Sequence, residues 1–181
     1  MSRLIVGRRY AKALFAAAKD RGTILETEQD LLEVLEVLEQ NNEFRMILEH
    51  PNISAEVKSD LLKRAFEGNV SEIVMNTLLL AVAKGRETIL TSLVSAYRMY
   101  ANEELGRAQA TVYSPFPLSE SEKSAIAEQF GKLTKKTITL TNVINPELIG
   151  GIQVRIGDRL YDGSLAGKLK SIEKSLTQNA M

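Results

Sequence analysis

Residues 145–176 read NPELIGGIQVRIGDRLYDGSLAGKLKSIEKSL and hold five of the chain's eleven glycines: Gly150, Gly151, Gly157, Gly163 and Gly167. Lys168 follows the last of them. Glycines before a lysine raise the question of a phosphate loop. A Walker loop requires G-x-x-x-x-G-K-[ST] between a strand and a helix. Here one residue too few separates Gly163 from Gly167, and Leu169 stands where a hydroxyl should bind magnesium. No G-x-G-x-x-G occurs either. A small phosphate-binding enzyme using residues 163–168 is therefore the second reading, and a hairpin leading into a helix is the first.

Ile152, Val154 and Ile156 alternate with Gln153 and Arg155, which places the apolar three on one face of a strand. Gly157-Asp158 forms a two-residue turn, because glycine accepts a positive φ. RLYD returns as the partner strand, with Leu160 rather than Arg159 expected to pack inward against Ile152 or Ile156. Asp162-Gly163 makes a second turn and Ser164 caps a final helix. In that helix Leu165, Leu169, Ile172 and Leu176 form one apolar stripe, opposite lysines and Glu173.

Upstream the same grammar reaches back to Gly106. RAQATVY (107–113) and KTITLTNV (136–143) alternate as strands do. Between them SPFPLS is a loop, Ser119 and Glu122 form a capping box, and a helix presents Ile126, Phe130 and Leu133 on one side. Before Gly106 everything is helical. An alanine-rich first helix ends at Gly22. A second is capped by Thr23, with Leu31, Val34, Leu35 and Leu38 in a stripe. A short segment follows, then helices opened by Ser54 and Ser71, and a last one from about Glu87 to Leu105 with Leu90, Leu93, Val94, Tyr97 and Ala101 inward. The expected fold is α+β in two domains. Residues 1–105 form a six-helix bundle, and residues 106–181 form a smaller mixed β-sheet domain with two helices.

Hydrophobic residues at 44% are enough for a core, while 23 basic and 23 acidic residues cancel. A balanced charge gives no general attraction to nucleic acid or anionic lipid, so a nucleic-acid module is disfavoured. The absence of cysteine removes disulfides, thiolate metal sites and cysteine nucleophiles, and a single histidine, His50, removes a histidine cluster. His50 precedes Pro51 in a polar bend and reads as exposed or capping. Glu103-Glu104 and the KLTKK cluster (132–136) read as solvated faces. No apolar run approaches the roughly 20 residues that span a bilayer. The N-terminus reads as a mature amphipathic helix, which suggests a bacterial chain. No catalytic, cofactor or metal constellation emerges, and neither a cofactor nor a bound nucleotide is expected.

The signature residues now gather. Ile138, Leu140, Ile144-Asn145, Leu148, Gly150-Gly151-Ile152, Val154-Arg155 and Gly157 resemble the pattern of the delta subunit of F-type ATP synthase, the family of the mitochondrial oligomycin-sensitivity-conferring protein. DGSLAGKL (162–169) resembles its D-G-S-x-x-G-x-L, and RRYAKALF (8–15) resembles its RPYAKALF, with Arg9 where proline is common.

The resemblance implies a non-catalytic peripheral-stalk subunit. Its helical domain would bind N-terminal helices of alpha subunits, and its C-terminal domain the distal ends of b subunits. It would resist rotor torque so that proton flow drives ATP synthesis, on the cytoplasmic face of the plasma membrane. Partner-helix contacts are expected at Tyr10, Ala13, Leu14 and Ala17 of the first helix and Asn76, Leu80 and Ala83 of the fifth. Contacts to b are expected at Leu165, Leu169, Ile172 and Leu176. From the residues alone, the fifth helix (73–83, polar only at Asn76 and Thr77) is either central to the bundle or offers a second face to a partner.

Overall fold

The computed structural model describes residues 3–165 and residue 167. It is an α+β chain. Among the described residues there are seven α-helices, one 3₁₀ turn and four strands. The chain divides into two compact units, Met1–Asn102 and Glu103–Met181. The division falls in the last turn of a helix, a few residues before the expected junction.

The first unit contains α1 (Arg3–Arg21), α2 (Ile24–Gln40), α3 (Asn42–Glu49), α4 (Ala55–Phe66), α5 (Glu72–Ala83) and, after a 3₁₀ turn at Glu87–Ile89, α6 (Leu90–Glu104). One core joins them: Ala11, Leu14 and Ala18 of α1 meet Leu31 and Val34 of α2, Leu62 and Phe66 of α4, Val74 and Leu78 of α5, and Leu93 and Tyr97 of α6. Gly22 and Gly85 follow helix ends at φ +71° and +62°, the left-handed geometry that ends a helix without a Cβ penalty. Gly7 serves a different need. A Cβ there would collide with the side chain of Ser92, so glycine permits the close crossing of α1 and α6.

Capping follows the sequence in part. Ser54 Oγ accepts from the Val57 amide, and the Ser119–Glu122 capping box is complete. Thr23 stands at the N-cap of α2, but with φ −107° and ψ 30° it lacks the extended backbone of a cap, and its hydroxyl is buried without a hydrogen bond. Ser71 opens α5 without a side-chain cap; its amide donates instead to Asp30 Oδ2 at 2.7 Å. His50 is exposed and accepts from the Asn52 amide through Nδ1.

The second unit is a four-stranded mixed sheet in the order β2-β1-β3-β4. β1 (Arg107–Ser114) and β2 (Thr137–Ile144) run parallel, which demands a crossover, and α7 (Glu120–Thr134) supplies it. β3 (Gln153–Ile156) is antiparallel to β1, and β4 (Arg159–Asp162) returns antiparallel to β3. Ala110, Val112, Ile138 and Val154 form the core, with Ile126, Ala127, Phe130 and Tyr161 packed on it. One expectation is corrected. Leu160 is 56% exposed and pairs with Arg155 on the outer face, while Tyr161 pairs with Val154 and turns inward. Leu133 shares the side of Phe130, lining one depression with it, but is 63% exposed, and Ala127 packs on the core beside Ile126.

Candidate interaction groove

α1 and α5 lie side by side, and a groove of about 380 Å³ runs along them. From α1 it is lined by Arg9, Tyr10, Ala13, Leu14 and Ala17. From α5 come Ile73, Asn76, Thr77 and Leu80. On each helix these positions follow the i, i+3/i+4, i+7 rule, so the groove follows two turns, roughly 10 Å. Small residues keep it open. Ala13 is exposed and Ala17 half-buried, whereas Ala11 and Ala18 on the adjoining face of α1 fill the core.

The walls are more apolar than the residue names suggest. The Thr77 hydroxyl donates to the Ile73 carbonyl at 2.7 Å, which leaves its methyl free to face a neighbour. Leu80 is 50% exposed although α5 is among the most apolar helices of the chain. Ile73, Val74, Leu78, Ala81 and Val82 are buried, so Leu80, on the outer face beside exposed Asn76, is the large apolar side chain of α5 that the unit leaves uncovered. Tyr10 stands at one end, with Arg86 Nη1 donating to its hydroxyl at 3.4 Å and the guanidinium 5.9 Å from the ring centroid.

Six of the seven expected groove positions thus surround one depression: Tyr10, Ala13, Leu14, Ala17, Asn76 and Leu80. Ala83 is exposed at the end of α5 but does not line it. Ile73 and Thr77 were not anticipated, although they lie seven and three residues before Leu80 on the same stripe. Arg9 was noticed only as a departure from a motif.

Among the described residues, the glycine-rich segment turns its amides inward rather than toward a phosphate. The Gly163 amide donates to the Ile152 carbonyl at 3.0 Å, and the Leu165 amide to the Gly150 carbonyl at 3.0 Å. The Ser164 amide donates to Asp162 Oδ1 and the Gly167 amide to Ser164 Oγ. These donors are spent internally. The Asp162 carboxylate at their centre would also repel an anion, and the hydrogen bonds from Ser164 hold its pKa below the usual value. Close approach explains the paired glycines. A Cβ on Gly151 (φ +79°) would stand 2.5 Å from the Gly163 carbonyl oxygen. Leu165 is exposed, and Leu169, Ile172 and Leu176 lie outside the described residues.

Comparison with known proteins decides the family. The family model described as ATP synthase delta (OSCP) subunit matches residues 6–176. The chain belongs to the ATP synthase delta (OSCP) subunit family. It is 47% identical over 180 residues to the ATP synthase subunit delta of Bacillus thuringiensis (strain Al Hakam), covering 99% of both chains, and equally to that of Bacillus anthracis. A chain of the Toxoplasma gondii mitochondrial ATP synthase hexamer shares the fold at a TM-score of 0.71 and 21% identity, covering 94% of this chain and 97% of that one. Membership makes this delta-family chain a peripheral-stalk component of F-type ATP synthase. Among its described residues no helix is long and apolar enough to cross a membrane.

Proposed function

We propose that this chain is a non-catalytic coupling subunit, which holds the catalytic head to the b subunits and resists rotor torque while protons drive ATP synthesis. Residues 1–105 act as a six-helix bundle whose α1/α5 groove seats the N-terminal helix of an alpha subunit. Residues 106–181 meet the distal ends of the b subunits. The complex stands at the membrane with this subunit on the cytoplasmic side.

The observation that carries the reading is the exposed Leu80 of α5 on the groove wall. A surface leucine beside a two-turn depression, lined by small residues, suits an amphipathic helix presenting i, i+3, i+4, i+7 anchors. Fully burying an exposed leucine is favourable by about 1.5–3 kcal/mol, so completing the burial of Leu80 supplies part of that. The exposed Leu133, Leu160 and Leu165 in the second unit are in keeping with a further protein contact.

Co-purification of the tagged full chain from native membranes tests the reading. Recovery with alpha, beta and b subunits is expected, and a pool free of them would contradict it. A fragment ending near residue 105 should give a helical circular dichroism spectrum and a cooperative melt. An unfolded fragment would refute the separate bundle.

A further inference from the structure

Arg9 is the one charged side chain among the described residues lining the α1/α5 groove; Asp and Glu are absent from the lining. It is exposed and makes no hydrogen bond or ion pair among the described residues. Arg86 reaches the same end, where it donates to the Tyr10 hydroxyl and lies beside its ring. Arg9, next to Tyr10 on α1, and Arg86 thus put two cationic residues at the end of the groove between the N-terminal half of α1 and the C-terminal end of α5. At the other end Ala17, Ile73 and Asn76 are neutral. The groove is apolar along its length and cationic at one end only.

An apolar stripe holds a helix but leaves its direction and register weakly defined, because leucine-like anchors shifted by one turn bury similar area. A single unpaired charge removes that degeneracy. Covering Arg9 with an apolar side chain strips water from a cation without replacement, which is unfavourable. A carboxylate placed over it forms a charge-assisted and commonly bidentate pair. We infer that Arg9 is a specificity-determining residue: the helix that occupies this groove presents an Asp or Glu at the Tyr10 end, and that pair sets its direction and register. The inference rests on reading the groove as the seat of an alpha N-terminal helix. It concerns a position where the family pattern commonly has proline, so the requirement belongs to chains that carry the arginine.

Calorimetric titration of the full chain with a synthetic peptide of the alpha N-terminal helix from the same complex, at low and high salt, tests it. Arg9→Gln should weaken binding about 2- to 5-fold at low salt, as expected for a partly exposed ion pair, and should flatten the salt dependence. Arg9→Glu should weaken it further, with recovery when the facing acid of the peptide is replaced by lysine. Lys12→Gln, exposed on α1 outside the groove, should leave affinity and salt response unchanged. Equal affinity and equal salt dependence for Arg9→Gln and the unaltered chain would overturn the inference, as would tight binding of a peptide lacking Asp and Glu. Failure of the unaltered chain to bind the peptide would instead overturn the groove reading itself.

Discussion

Val154 and Tyr161 stand directly opposite each other on β3 and β4, and Tyr161 meets Phe130 of α7 edge-on with ring centroids 5.2 Å apart. This pair ties the hairpin to the crossover helix. Tyr161→Ala removes an aromatic wall from a small core and should destabilise the second unit by about 2–4 kcal/mol, below the full cost of a completely buried ring. Leu160→Ala, on the outer face, should change stability by less than about 0.5 kcal/mol. Native-state hydrogen exchange at the sheet amides measures both. Equal losses would show that the hairpin faces are wrongly assigned.

Gly151 and Gly157 both have positive φ, +79° and +57°, but their surroundings differ. A Cβ on Gly157 meets nothing within 4 Å, so Gly157→Ala costs only backbone strain, roughly 1 kcal/mol. Gly151→Ala adds a collision with the backbone of residues 163 and 164 and should cost clearly more. Thermal melts of the two variants give the order. A reversed order would refute the close approach at Gly151.

Asp162 titrates below the usual aspartate value because it accepts hydrogen bonds from Ser164. A depressed folded pKa means that its stabilising effect is complete above the unfolded value of about 3.9. The effect is lost as pH falls through the lower folded value. The second unit should therefore weaken on acidification in that window, and Asp162→Asn should flatten the acid limb of a pH-stability profile. An unchanged limb would mean that the carboxylate contributes nothing there.

Lys58 and Glu87 form an ion pair of 2.7 Å with both side chains nearly buried. Lys58→Ala strands a buried carboxylate and should destabilise the helical unit by about 3–5 kcal/mol. Replacing both partners, Lys58→Met with Glu87→Gln, should recover most of that loss. Urea denaturation of the single and double variants decides. A double variant as weak as Lys58→Ala would show that the loss comes from the missing ion pair itself and not from a stranded carboxylate.

How much of this was legible in the sequence depends on the range of the interaction. Gly157 was readable because a two-residue turn demands positive φ locally. The inward turn of Tyr161 was also readable by counting: a turn at residues 157 and 158 pairs 156 with 159 and 154 with 161, so Tyr161 shares the face of Val154. The preference for Leu160 followed hydrophobicity instead of that parity. Buried Lys58 had no local signal, since its partner is 29 residues away. Thr23 had the right chemistry for a cap and the wrong backbone. For the groove, the excess of apolar residues in α5, polar over 73–83 only at Asn76 and Thr77, was visible in its composition. That α1 lies against it, and that Arg9 therefore lines the depression, depends on tertiary packing.

If the α1/α5 groove seats a partner helix, Ala13 must lie beneath it, since it is exposed in the free chain yet lines the groove. Ala13→Asp should change the stability of the full chain by no more than the helix-propensity difference, about 0.7 kcal/mol. The same substitution places a charge where a helix must approach, and should weaken binding of an alpha N-terminal peptide by about 2–4 kcal/mol. Lost binding with a nearly unchanged melting temperature is the expected result. Undiminished binding by a normally folded Ala13→Asp chain would contradict it.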